Sequence, residues 1–182
     1  MGRKILLVVD LQKDFIDGSL AVKDAANVIP AINEVKNKFD WVYFTLDWHP
    51  TNHCSFKEQG GPWPVHCVHY TAGTALPESV LEGLKESRMR FIRKGCKPGK
   101  EEYGAFEGVK ASDQDYFREG DVVTVCGIAS EYCVLTTLKN VYKLSKKVGF
   151  KVNVFLEGTA KFESYDTLLA YMQENNIKKK TF

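Results

Sequence analysis

The sequence predicts an α/β fold, a three-layer α/β/α sandwich around a mostly parallel, open, Rossmann-like sheet. Two observations carry that reading. Five short apolar runs, KILLVVD, WVYFTLD, RFIRK, DVVTVC and FKVNVFL, are continuous rather than alternating, the pattern of strands buried on both faces. Segments of helical period lie between them, and parallel strands need such crossovers, packed on both faces of the sheet. With 182 residues and 44% hydrophobic content the chain suits one core of ordinary size, so a single domain over residues 1–182 is expected.

Taken in order, the first strand ends at Asp10. A helix over Val28 to Phe39 follows, with Ile29, Ile32 and Val35 on one stripe, and then the strand ending at Asp47. A second helix, Leu76 to Leu84, opens with Pro77 and carries Val80, Leu81 and Leu84 on one side. After the third strand, ending at Lys94, comes the fourth through Cys126. A helix marked by Val134, Leu135, Leu138, Val141 and Leu144 stops before Gly149. The fifth strand and a helix from Tyr165 to Asn175 complete the alternation, and Lys178 to Lys180 reads as a solvated end. Two irregular segments, Trp48 to Ala75 and Gly95 to Gln114, are long for a compact domain, and their aromatic and histidine content favours function.

Several classes are excluded by composition. A formal net charge of +2 with interspersed signs implies no nucleic-acid partner. The run Ile5 to Val9 is too short for a signal-peptide core, no window approaches a membrane span, and Leu6 stands where a myristoylation signal wants Ser or Thr. Cytoplasm is expected. Cys54, Cys67, Cys96, Cys126 and Cys133 make an odd count at irregular spacing, so free thiols are expected rather than a disulfide framework.

In open α/β sheets ligands bind beyond the carboxyl ends of the strands. Those ends deliver Asp10, Asp47 with His49, Lys94 and, through GIASEY, Cys133. Each alone reads as a cap, a solvated end or core filler; four chemically competent groups at equivalent ends read as a site. A strand-to-helix turn sets Cys133 near a helix N-terminus, which favours thiolate and offers N–H groups to an oxyanion. Asp10 can take the thiol proton and Lys94 can hold the charge. Asp47-x-His49 with His66 is a carboxylate and two imidazoles, a donor set that suits zinc, iron or manganese. His53, Glu58 and His69 are further candidates by type, while Cys54 and Cys67 lack C-x-x-C spacing and read as core or neighbours. A non-catalytic metal-binding or redox-sensing thiol module is the alternative from another class, with Cys126 the only cysteine near Cys133 in sequence.

VVDLQKDFIDGSL, DWHP, GGPWPVHC, RKG, EYGAF and GIASEYCV, in this order across most of the chain, resemble the nicotinamidase branch of the isochorismatase-like cysteine hydrolases. The resemblance implies a triad of Asp10, Lys94 and Cys133 and one divalent metal, zinc before iron or manganese, on Asp47, His49 and His66. It also implies a cis peptide before Ala129, whose N–H would join that of Cys133 in an oxyanion hole. Phe15 and Trp63 match aromatics that sandwich a pyridine ring, and Tyr103 and Phe106 sit in a loop that would close over it. Glu58 is a further candidate ligand by the same resemblance, and Ser55 stands where some relatives supply a histidine. Gly104, Glu131 and Tyr70 also depart from common family residues. The implied activity is hydrolysis of nicotinamide, and of pyrazinamide, within NAD salvage, with a ureido- or carbamoyl-amidase or an isochorismatase as the runner-up. Neither nucleic acid nor membrane is implied as a partner, and a homo-oligomer is left open.

Overall fold

Both faces of β1 (Lys4–Val9) are apolar, so the strand requires cover on each side. The computed structural model, which describes residues 2–113 and 115–182, supplies it. Met1, at the start of the opening motif, and Gln114, at the end of the second irregular segment, lie outside the described residues. β1 is followed by β2 (Trp41–Asp47), β3 (Met89–Lys94), β4 (Val122–Gly127), β5 (Lys151–Thr159) and β6 (Lys178–Lys179). Their spatial order is β3-β2-β1-β4-β5-β6, and every neighbouring pair is parallel.

Ile5, Leu7 and Val9 face one layer, where α4 (Leu135–Val148) and α5 (Asp166–Glu174) bring Leu138, Val141 and Leu168. Leu6 and Val8 face the other, where α1 (Lys13–Ile16), α2 (Val28–Val35) and α3 (Glu78–Leu81) bring Phe15, Ile32 and Val80. Strand order reverses at β1, flanked by β2 on one side and β4 on the other, and a crevice opens there at the carboxyl ends. Gly127 is required at that point: its φ is +121°, and a Cβ would stand 2.0 Å from the Val9 carbonyl oxygen. Among the described residues, no helix is long and apolar enough to cross a membrane.

The fold departs from the sequence expectations in four places. The helix expected over Val28 to Phe39 tightens to a 3₁₀ turn after Val35. The one expected over Leu76 to Leu84 shortens to α3: Glu82 turns out of the helical region at ψ 133°, and Gly83 follows at φ +75°. Buried Lys36 donates to the Ser79 and Val80 carbonyls at 2.6 and 3.0 Å, satisfying the end of that short helix. β3 is an edge strand with Phe91 and Arg93 exposed, so it is not buried on both faces. Lys178 and Lys179 have solvated side chains, yet their backbone extends the sheet, and the Lys180 N–H donates to the Val154 carbonyl at 2.7 Å.

At the opposite end of the sheet, Asp121 ties the entry of β4 to the start of β1. It accepts the Arg3 N–H at 2.9 Å, the Arg3 Nη2 at 2.6 Å and the Arg118 N–H at 2.9 Å. Burial alone would raise its pKa, but these donors hold it below the usual carboxylate range. A depressed folded-state pKa contributes stability that is complete above the unfolded value, about 3.9, and fades as pH falls through the folded one. D121N should therefore destabilise the protein by about 3 kcal/mol at neutral pH in urea unfolding. The gap to wild type should close as pH falls below about 4; a gap that stays constant there contradicts this assignment.

Candidate active site

Three strand ends and one turn meet at the crevice. Asp10 leaves β1 in the left-handed region, φ +45°, which turns its side chain inward. Its N–H lies 3.2 Å from both the Thr45 carbonyl and Oγ1, and its Oδ1 accepts the Thr45 hydroxyl at 2.6 Å. The β2–β3 register sets Asp47 beside Lys94, and Cys133 lies in a π-helical turn, Ser130–Val134, that leads from β4 into α4.

All four side chains are buried and converge on the Lys94 ammonium. Its Nζ stands 2.7 Å from Asp10 Oδ2, 2.5 Å from Asp47 Oδ1, 3.5 Å from Cys133 Sγ and 3.4 Å from the Glu102 carbonyl. Asp10 Oδ2 pairs with the Lys94 ammonium, and no other donor among the described residues engages it. One oxygen of Asp10 lies within 4.8 Å of the Cys133 sulfur.

Burial is the largest influence on each group, and the shared charge decides the outcome. Burial raises Asp10 above its ordinary value, with Lys94 only partly offsetting it. Burial also pushes Asp47 upward, yet Lys94 and then His49 hold it well below the carboxylate range. Lys94 would be lowered by burial, but Asp10 and Asp47 keep it well above its ordinary value and therefore charged. Burial pushes the Cys133 thiol well up; Lys94 lowers it, and the two carboxylates add to the rise. The helix N-terminus expected to favour the thiolate works against this rise. The helix terminus supplies typically 0.3–1 kcal/mol, too little against a dry site flanked by two carboxylates. A thiol raised in this way calls for a base to take its proton.

Asp47 also faces the other half of the site. His49 Nε2 and His66 Nε2 stand 3.5 and 4.0 Å from its Oδ2, and one ligand atom from each of the three lies within 4.8 Å of the others. Each histidine is oriented through its second nitrogen. His49 Nδ1 donates to the Gly95 carbonyl at 2.9 Å and His66 Nδ1 to the Pro64 carbonyl at 2.7 Å, so both Nε2 atoms are free to present lone pairs. Gly95 permits that approach, since a Cβ there would come 2.4 Å from His49 Cε1. Two lone pairs and a carboxylate oxygen aimed at one buried point fit a divalent cation.

The remaining candidate ligands fall outside this group. Glu58 lies exposed in the 3₁₀ turn Lys57–Gln59, which turns it to solvent instead of toward the cluster. His53 stacks on His49 at 4.0 Å, but Ser55 Oγ and the Lys100 carbonyl engage both its nitrogens, at 2.7 and 3.1 Å. Neither His69 nor Cys54 is grouped with the three.

A small recess opens beside Cys133 and the histidines. Phe15, Trp63 and Tyr103 line it, joined by Tyr132, Phe162 and Glu101, which carried no recognisable sequence signal. The Trp63 Nε1–H donates to the Tyr103 hydroxyl at 3.0 Å, and Phe162 stacks near-parallel on Trp63 at 6.0 Å. Phe106 does not close over the recess: it is buried against Phe117, ring centres 5.0 Å apart. The Ile128–Ala129 peptide is cis, and the Ala129 N–H makes no hydrogen bond among the described residues. Cys126 is fully buried in β4 with its thiol pushed up by burial, an inert partner for any redox role of Cys133.

Sequence reading also missed Gln12. Fully buried, it accepts the Asp47 N–H at 2.8 Å and donates to the Asp47 carbonyl at 2.9 Å, pinning that residue's backbone from both sides. A polar side chain three positions beyond an apolar strand was the available signal.

Comparison with known proteins agrees with this geometry. The isochorismatase domain model matches residues 4–177. The nicotinamidase of Saccharomyces cerevisiae is 30% identical over 192 residues, covering 86% of this chain and 87% of that one. The crystal structure of the pyrazinamidase of Pyrococcus horikoshii in complex with zinc is 34% identical with a TM-score of 0.81, covering 99% of both chains. That of PnC1 from L. infantum in complex with nicotinate is 31% identical with a TM-score of 0.83, covering 98% of this chain and 92% of that one. The chain belongs to the isochorismatase family, in its nicotinamidase branch.

Proposed function

We propose that this protein hydrolyses nicotinamide to nicotinate and ammonia through a thioester on Cys133, and that it accepts pyrazinamide as well. The observation that carries the reading is the convergence of Asp10, Asp47 and Cys133 on one buried ammonium, beside an aromatic recess. The nicotinate complex of the L. infantum relative supports the substrate class.

Asp10 takes the Cys133 proton as the sulfur attacks the carboxamide carbon, and the N–H groups of Ala129 and Cys133 hold the oxyanion. Asp10, whose burial makes it a stronger base, then gives that proton to the departing nitrogen as the C–N bond breaks. Ammonia leaves and the acyl group stays on sulfur. A water then loses a proton to Asp10 and attacks the thioester; the C–S bond breaks, Asp10 reprotonates the sulfur, and nicotinate is released. Throughout, Lys94 stabilises the carboxylate and the transient thiolate.

Asp47, His49 and His66 would hold the metal, zinc by likeness to the P. horikoshii complex, with iron and manganese compatible with the same donors. When bound it supplies a Lewis-acidic contact for the pyridine nitrogen. Phe15 and Trp63 orient the ring, and Tyr103 braces Trp63. In this reading the chain is a single domain acting in the cytoplasm, and its product feeds NAD salvage.

C133A should lower nicotinamide hydrolysis, read as ammonia release, by at least about 10³-fold. An unchanged rate would remove the covalent mechanism. One divalent metal per chain should be measurable in the purified protein, and chelation should lower kcat/KM with recovery on zinc addition. Full activity in protein stripped of metal would contradict the role given to Asp47, His49 and His66.

A further inference from the structure

Glu131 lies two residues before the nucleophile, and its carboxylate faces away from the reacting groups. Its Oε1 accepts the N–H groups of Glu163 and Ser164 at 2.7 and 2.8 Å, and its Oε2 accepts that of Phe162 at 3.1 Å. The Ser130 hydroxyl stands 2.9 Å from Glu131 Oε2 and 3.0 Å from the Ser164 carbonyl, and gives its single proton to one of them. Two backbone bonds strengthen the junction, from the Ser130 N–H to the Ala160 carbonyl at 2.8 Å and from the Ala160 N–H to the Gly127 carbonyl at 2.9 Å.

Three consecutive N–H groups aimed at one carboxylate form an anion-binding nest, filled here by the chain itself. Burial would raise Glu131, yet these donors hold it below the usual range, so it remains a charged acceptor. What the nest fixes is the β5–α5 connection, and the residue of that connection facing the recess is Phe162. Phe162 stacks on Trp63 with an interplanar angle of 17°, and Tyr132 meets both rings edge-on at 5.2 and 5.8 Å. The clamp therefore joins the turn that carries Cys133 to the aromatic wall against which a ring would lie.

We infer that Glu131 is a positioning residue for substrate recognition: by gripping residues 162–164 it sets Phe162 against Trp63, and so fixes the recess to a flat aromatic ring. The inference rests on the nicotinamidase reading. Replacing the carboxylate by an amide leaves one acceptor oxygen for three N–H donors and turns an NH₂ toward the rest, which frees Phe162 without touching Asp10, Lys94 or Cys133. The shorter carboxylate of aspartate keeps both oxygens.

The test is steady-state kinetics of ammonia release on metal-loaded full-length protein. E131Q should raise KM for nicotinamide about tenfold with kcat within about twofold, and E131D should stay within about threefold of wild type in KM. F162A should raise KM comparably, and E131Q should add nothing on the F162A background. The inference is overturned if E131Q lowers kcat at unchanged KM, if its effect persists in full on that background, or if F162A leaves KM unchanged. The F162A and E131D results decide the matter should E131Q fail to fold. Wild-type protein that releases no ammonia from nicotinamide sinks the functional reading itself, a separate outcome.

Discussion

One buried ammonium organises this molecule. Lys94 lies 2.5–2.7 Å from two carboxylates that are almost wholly shielded from water, and 3.5 Å from the Cys133 sulfur. Burying two carboxylates in one place without a counter-charge costs several kcal/mol per ion. The strands can end on Asp10 and Asp47 at adjacent positions because β3 brings a cation to the same crevice. Asp10, Asp47 and Cys133 have the ligand geometry of a cation site, and the Lys94 side chain is the cation that fills it.

Asp47 links the two halves of the chemistry. Its Oδ1 holds Lys94 and its Oδ2 faces the two Nε2 atoms, so whatever locates Asp47 locates both the charge beside Cys133 and the candidate metal donors. Gln12 does this through the backbone, and Gly95 lets its own carbonyl orient His49. The loop carrying His66 is tied in the same fashion: the Cys67 N–H donates to Asp14 Oδ2 at 2.7 Å, anchoring it to α1. Side chains with no chemistry of their own thereby set the geometry of those that have it.

Much of this was legible in the sequence because buried parallel strands advertise themselves as unbroken apolar runs, and polar residues at their ends have few reasons to be there. Asp10, Asp47, Lys94 and Cys133 were found in that way, and the resemblance added Ala129, Phe15 and Trp63. Elements of about one period were not legible: α1 has four residues and β6 two, and β6 is held by backbone pairing that lysine side chains do not reveal. Phe162 and Tyr132 reach the recess through loop paths that no periodicity encodes. The burial that opposes the helix terminus at Cys133 comes from tertiary packing, which the local sequence does not encode.

The most direct test of this account is the rate of nicotinamide hydrolysis by K94M, with folding checked by circular dichroism. Methionine keeps the unbranched stem as far as the ε carbon and removes the charge that joins Asp10, Asp47 and Cys133. The account predicts a fall in kcat/KM of at least about 10³-fold in folded, metal-loaded protein. A folded K94M variant that hydrolyses nicotinamide within about tenfold of wild type would contradict it.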